Sequence, residues 1–163
     1  MSELRELYQQ VILDHHRKPR NFRKLPRTTG TAEGFNPLCG DRVSVEVETG
    51  DGVIGDIAFQ GSGCAISRAS ASMMTAALKG QTMATAEETF DRFHRMLTES
   101  QPSRELTDAL GKLAVFAGVR EFPSRIKCAT LPWHTLKAAL TGAQETVSTE
   151  LTEGPKAESG GAS

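Results

Sequence analysis

One stretch restricts the possible folds more than any other. Arg42 to Thr49 alternates Val43, Val45 and Val47 with polar residues, Gly50-Asp51-Gly52 follows, and Val53 to Phe59 runs back. A period of two on either side of an Asp-Gly turn specifies an antiparallel hairpin with one buried face. Chemistry brackets it: Asn36-Pro37-Leu38-Cys39-Gly40-Asp41 enters the first arm and Gly61-Ser62-Gly63-Cys64-Ala65 leaves the second. Because the arms return on each other, Cys39 and Asp41 are expected beside Cys64. Thr31 to Phe35 adds a third strand at the edge.

The remaining segments read as helices. Ser2 caps a first helix with Leu4, Leu7, Val11 and Ile12 in one stripe, ending before Pro19. A second runs from Cys64 or Ala65 to Lys79 and stops at Gly80. Thr85 and Glu88 form a capping box ahead of Phe90, Phe93 and Leu97. Ser103 caps a helix bearing Leu106, Leu110, Leu113, Ala114 and Ala117, stopped by Gly118. Thr130, with Pro132 in the first turn, starts a last helix from Leu131 to about Thr141. Trp133 in that turn reads as a partner contact or, in preference, as an aromatic folded onto the core. Strands followed by helices indicate an α+β fold, a small three-stranded antiparallel sheet with helices packed on one face.

The three cysteines are too few and too widely spaced for a disulfide framework, with 24 residues between the first two and 63 between the second and third. Cys64 and Cys128 both fall at or just before expected helix starts, where backbone N–H groups and the helix dipole favour a thiolate. Cys39 and Asp41 lie two apart around Gly40, so both side chains can turn to one centre. Cys39, Asp41, Cys64 and Cys128 together make a four-coordinate set of three sulfurs and a carboxylate. Such a set suits zinc and equally the edge of an iron–sulfur cluster. The spacing leaves a third possibility open, three independent structural cysteines. Adjacent on one helix, His15 and His16 point about 100° apart and cannot both serve one metal. His94 and His134 are the reserve donors should Asp41 fail.

Leu7-Tyr8-Gln9-Gln10-Val11-Ile12-Leu13-Asp14-His15-His16 with Pro19-Arg20-Asn21, then Asn36-Pro37-Leu38-Cys39-Gly40-Asp41, Gly61-Ser62-Gly63-Cys64-Ala65-Ile66-Ser67 and Arg125-Ile126-Lys127-Cys128-Ala129-Thr130-Leu131 resemble the U-type iron–sulfur assembly proteins, and within them the SufU branch. The resemblance runs from Ser2 to Gly142. Lys127 stands where housekeeping scaffolds carry a histidine, and the segment between Cys64 and Cys128 is longer than theirs; both features are usual in the SufU branch. The resemblance implies a zinc-bound sulfur acceptor that takes persulfide sulfur from a SufS-like cysteine desulfurase, with Cys39 as the accepting, catalytic thiol. The alternatives are a scaffold on which a cluster is assembled and passed to downstream cluster-assembly proteins, or a structural-zinc interaction module. The long ligand spacing argues against the last.

At 163 residues the chain suits one domain, taken as 1–143. Residues 144–163 read as a disordered tail: four acidic residues stand there against Lys156 alone, a net of −3, which leaves the body at +2. A total charge of −1 gives no nucleic-acid or membrane signal. The basic run of Arg17, Lys18, Arg20, Arg23, Lys24 and Arg27 has only Phe22 interleaved, too little for a stacking platform, and reads as a solvated loop or a docking surface for an acidic partner. Arg125 and Lys127 read either as cations that stabilise thiolates or a persulfide or as plain surface residues. With no 20-residue apolar run and no signal peptide, unpaired cysteines imply the cytoplasm.

Overall fold

The hairpin forms where the alternation puts it. A computed structural model describes residues 2–141 and 146–148. Strands β1 (Gly30–Asn36), β2 (Asp41–Gly50) and β3 (Val53–Ser62) make the antiparallel sheet, and the two-residue Asp51-Gly52 loop has positive φ at both positions, as a type I′ turn requires. A short strand β4 (Thr146–Ser148) joins β1 in parallel, giving the order β3-β2-β1-β4. It lies in the segment read as a tail, whose other residues beyond 144 are outside those described.

Helix α1 (Ser2–Arg17) ends before Pro19 as expected, and α2 (Ala65–Leu78) ends before Gly80. Three helix readings need correction. The cap of α3 (Met83–Thr98) is Thr82, whose hydroxyl accepts from the Thr85 N–H, so the helix starts two residues before the expected Thr85 cap. Ser103 does cap α4 (Arg104–Ala109), but Gly111 at φ +58 ends it, and a 3₁₀ segment, Gly111–Glu121, runs through Gly118 without stopping. The last helix, α5 (Pro123–Leu140), begins eight residues early with Pro123 in its first turn. Thr130 is interior and returns its hydroxyl to the Ile126 carbonyl, 3.0 Å away, while Pro132 sits mid-helix and has no N–H to give the Cys128 carbonyl.

The helices cover one face of the sheet, α5 across β1 and β2 and α2 against β3. Val43, Val45, Val47, Ile57 and Phe59 are buried beneath them. Close approach of α5 to β1 depends on a missing side chain: a Cβ on Gly34 would lie 2.1 Å from Thr135 Oγ1. The helix runs antiparallel to β1, Ala139 beside Gly30, Thr135 beside Gly34 and Cys128 beside Asn36. That geometry carries Cys128 to the end of the sheet where Asp41 begins β2.

A buried polar contact fixes α2 to α5. Ser70 donates to the Ala129 carbonyl at 2.5 Å and accepts from Trp133 Nε1 at 3.1 Å. Trp133 is fully buried and stacked on Phe93, so its place in the core is as expected. Outside this layer, Asn21 and Arg23 exchange backbone hydrogen bonds with Phe59, and Arg20 and Arg23 pair with Asp14 and Asp56. Part of the basic run is therefore tied down rather than free in solvent. No helix among the described residues is long and apolar enough to cross a membrane.

His134 makes stability fall in acid. Burial first, then the neighbouring charges of His94 and Lys137, brings it down to about 4. A folded value below the unfolded value of about 6.5 means the unfolded chain binds more protons between them, so stability is complete above 6.5 and declines as pH falls toward 4. The side chain is part-exposed, which reduces the effect to about 1–2 kcal/mol. Urea unfolding of chelator-treated protein at pH 7 and 4.5 should show that much less acid destabilisation in His134→Phe than in wild type; equal losses would contradict the assignment.

Candidate metal centre

Asp41 is a carboxylate on the apolar face. It precedes Val43, Val45 and Val47 in phase, so the pleat that buries the valines also buries Asp41, which is 0 % exposed. The face continues as a polar edge on β1, where Asn36 follows Ala32 and Gly34 in phase and pairs with Asp41 across the turn. Burial of a carboxylate costs several kcal/mol unless its oxygens are engaged. Asp41 Oδ1 accepts the Cys64 N–H at 2.8 Å, and Oδ2 lies 3.5 Å from Cys64 Sγ.

Cys64 is the N-cap of α2, in line with the sequence pattern, and its sulfur accepts from the Ser67 N–H at 3.4 Å. Gly63 is what lets this helix end approach Asp41. Its φ is +147, and a Cβ there would stand 2.3 Å from Asp41 Oδ1.

Cys39 occupies the exposed tip of the Pro37–Gly40 turn, closed by the Gly40 N–H on the Asn36 carbonyl at 2.8 Å with Gly40 at φ +76. Cys128 is buried in the second turn of α5, with its sulfur 3.7 Å from that of Cys39.

Three of the four expected donors thus cluster at one end of the sheet, with Cys64 against Asp41 beside them. Ligand atoms of Cys39, Asp41 and Cys128 lie within 4.8 Å of one another. Cys64 adjoins this cluster through its 3.5 Å contact with Asp41. Tetrahedral zinc with bonds of about 2.3 Å to sulfur and 2.0 Å to oxygen implies edges of about 3.8 Å between sulfurs and about 3.5 Å between sulfur and oxygen. The observed sulfur–sulfur and sulfur–oxygen separations, 3.7 and 3.5 Å, match those edges. Thiol and carboxylate donors suit the ion in chemistry, and these two edges suit it in size.

The thiols are inequivalent. A hydrogen bond with Cys128, helped by the Ser67 N–H, brings Cys64 down to about 7 against the effect of burial. Cys128 is pushed up by the same interaction and by burial. This corrects the expectation for Cys128, which has no helix N-terminus to favour its thiolate. Arg125, one turn earlier on α5, is raised by the charge of Cys64 and by hydrogen bonding to Cys128. Lys127 is half-buried beside Cys128.

The histidines are elsewhere. His94 and His134 pack around Phe90, with ring centroids 6.1 and 5.3 Å away, and His15 bonds Ser72 at 2.7 Å. Sequence reasoning gives no role to Asn36, whose Nδ2 points at Cys128 Sγ from 3.6 Å, and treats Gly63 only as part of a turn. A signal exists for both: for Asn36 the phase of β1, for Gly63 its place between a strand and a capping cysteine.

Residues 7–129 match the model of the NifU-like N terminal domain. The zinc-dependent sulfurtransferase SufU of Bacillus subtilis (strain 168) is 39% identical over 138 residues, covering 83% of this chain and 90% of that protein. The iron-sulfur cluster assembly scaffold protein IscU of Streptococcus pyogenes serotype M1 is 40% identical over 141 residues, 86% of each chain. Among solved structures, the N-terminal part of a nitrogen-fixing NifU-like protein from Brucella abortus superposes with a TM-score of 0.72 at 26% identity, covering 83% of this chain and 92% of that one.

Proposed function

The chain belongs to the NifU-like N-terminal domain family, and on that premise we propose that this iron–sulfur cluster assembly protein is a zinc-bound sulfur acceptor for a SufS-like cysteine desulfurase. One observation supports this reading above the rest. Of the three thiols, Cys39 alone is exposed, at the tip of a turn, while Cys64 caps a helix and Cys128 is buried.

Zinc held by Cys39, Asp41, Cys64 and Cys128 would keep the thiols deprotonated at neutral pH. The remaining chemistry belongs to the chain. The Cys39 thiolate attacks the terminal sulfur of the desulfurase persulfide, the sulfur–sulfur bond to the desulfurase breaks, and its cysteine leaves as a thiolate; Cys39 now carries the persulfide. Charge and protons balance, and no reductant is consumed. Arg125 lies where it offsets the negative charge that persists through the transfer. Asp41, pinned by the Cys64 N–H, keeps a fixed oxygen at the centre when Cys39 swings out. Leu38, 65 % exposed beside Cys39, gives the partner an apolar contact at the point of transfer. Free thiols of this kind suit the reducing cytoplasm.

The reading is tested by metal analysis of anaerobically purified protein together with mass spectrometry after mixing with desulfurase and cysteine. About one zinc per chain and a gain of one sulfur are expected. A chromophoric cluster that forms readily and transfers intact would favour the scaffold instead. Zinc should also stabilise the fold, because its donors come from a turn, β2, α2 and α5. At an ion concentration of about 1,000 times Kd the linkage is worth about 4 kcal/mol, about 8–16 °C in Tm for a chain of this size. Chelation that leaves Tm unchanged would separate the centre from the fold.

A further inference from the structure

We propose that Asn36 is a positioning residue that makes the sulfurs unequal, holding Cys128 in the centre so that Cys39 is the one released. The inference rests on the zinc reading above and goes beyond it, because Asn36 is outside the donor set.

Asn36 is 0 % exposed at the end of β1, between the elements that carry the two thiols. Its amide faces both. Nδ2 donates to Cys128 Sγ at 3.6 Å, within the range for a sulfur acceptor. Oδ1 accepts the Leu38 N–H at 3.1 Å, and the Asn36 carbonyl accepts the Gly40 N–H at 2.8 Å. One residue therefore shapes the turn that displays Cys39 and supplies a hydrogen bond to the sulfur of Cys128.

An N–H donor stabilises negative charge on a thiolate and reduces its tendency to attack. At Cys128 this favours a sulfur that stays bound through transfer. At the Cys39 end, Asn36 holds the backbone of the turn through the Leu38 and Gly40 N–H groups. Partners in this position commonly matter about 10- to 100-fold for metal affinity. The hydrogen bonds to Cys128 and from Leu38 are chemically separable, since one uses the amide nitrogen and the other the oxygen.

The test uses full-length protein at pH 8. Asn36→Asp keeps an oxygen for the Leu38 N–H and replaces the donor to Cys128 with an acceptor; Asn36→Ala removes both. The proposal expects Asn36→Asp to weaken zinc in a chelator competition by about 10-fold or more, to shift the sulfur-to-metal charge-transfer band of the cobalt form, and to spread added sulfur from Cys39 onto Cys128. A loss confined to Asn36→Ala would reduce Asn36 to a turn residue and overturn the proposal. A measurement on wild type stands even if a variant does not fold: in protein loaded with cadmium-113, one Asn36 side-chain proton should couple to the metal through Cys128 Sγ, and absence of that coupling would also overturn it. These metal readouts need no desulfurase, so a failure of sulfur acceptance would leave this result separately legible.

Discussion

Gly63→Ala is expected to lower zinc affinity by about 100-fold or more while leaving the hairpin intact. Two effects act at this position. The backbone φ of +147 is one that residues with a Cβ rarely adopt, and the new methyl would fall 2.3 Å from Asp41 Oδ1 and 2.9 Å from its Cα. The carboxylate cannot yield by rotation alone, because the strand backbone is also in the way. Either Asp41 leaves its hydrogen bond with the Cys64 N–H, or the start of α2 retreats and takes Cys64 with it. Both outcomes remove a donor from the cluster. Gly80→Ala is the control: it has a positive φ of +84 but nothing within 4 Å of its Cβ, so it carries backbone strain without the clash. Chelator competition and urea unfolding measure the two quantities separately. Wild-type zinc binding in Gly63→Ala would mean that Asp41 is not held beneath the helix end in solution.

That a glycine between two named motifs should matter so much shows where sequence reasoning reaches and where it stops. The period-two alternation and the Asp-Gly turn specify the sheet and, through it, the meeting of Asp41 with Cys64. The same alternation carries more than a hairpin. Asp41 stands in phase with Val43 and Asn36 in phase with Gly34, so the pleat alone commits both to the helix-covered face. Cys128 is harder. Thr130 and Pro132 imitate a helix start, and only packing against β1 and the Ser70–Trp133 contact shows that the chain is helical through them. Propensity treats an interior proline as a break; tertiary contacts along the rest of α5 outweigh one missing backbone hydrogen bond. Cys128 therefore joins the other donors for a reason other than the one its local signals offer. Segment 104–121 shows the opposite balance, since a periodic Leu and Ala pattern predicts one helix and Gly111 breaks it.

Cys39→Ser should reduce sulfur uptake from the desulfurase by about 100-fold or more, to background, in protein that still binds zinc. Exposure and position separate Cys39 from its neighbours. Its side chain lies at the rim of the centre on a turn closed by one backbone hydrogen bond, whereas Asp41, Cys64 and Cys128 are fixed by a strand, a helix cap and a helix interior. Replacing sulfur by oxygen at the rim leaves those three donors in place and an oxygen where a fourth can sit. Serine is nevertheless a poor nucleophile toward persulfide sulfur at neutral pH, since its hydroxyl stays protonated. Cys128→Ser and Cys64→Ser are expected to behave differently, losing zinc as well as sulfur uptake, because each removes a donor that the fold has fixed. The desulfurase should still release sulfide to an added thiol in every case, which locates any block in the acceptor. Mass mapping of the loaded chain decides the matter: sulfur on Cys64 or Cys128 in wild type, or uptake undiminished in Cys39→Ser, would transfer the accepting role to a thiol held by a helix, and the exposed turn would then serve only to open the centre.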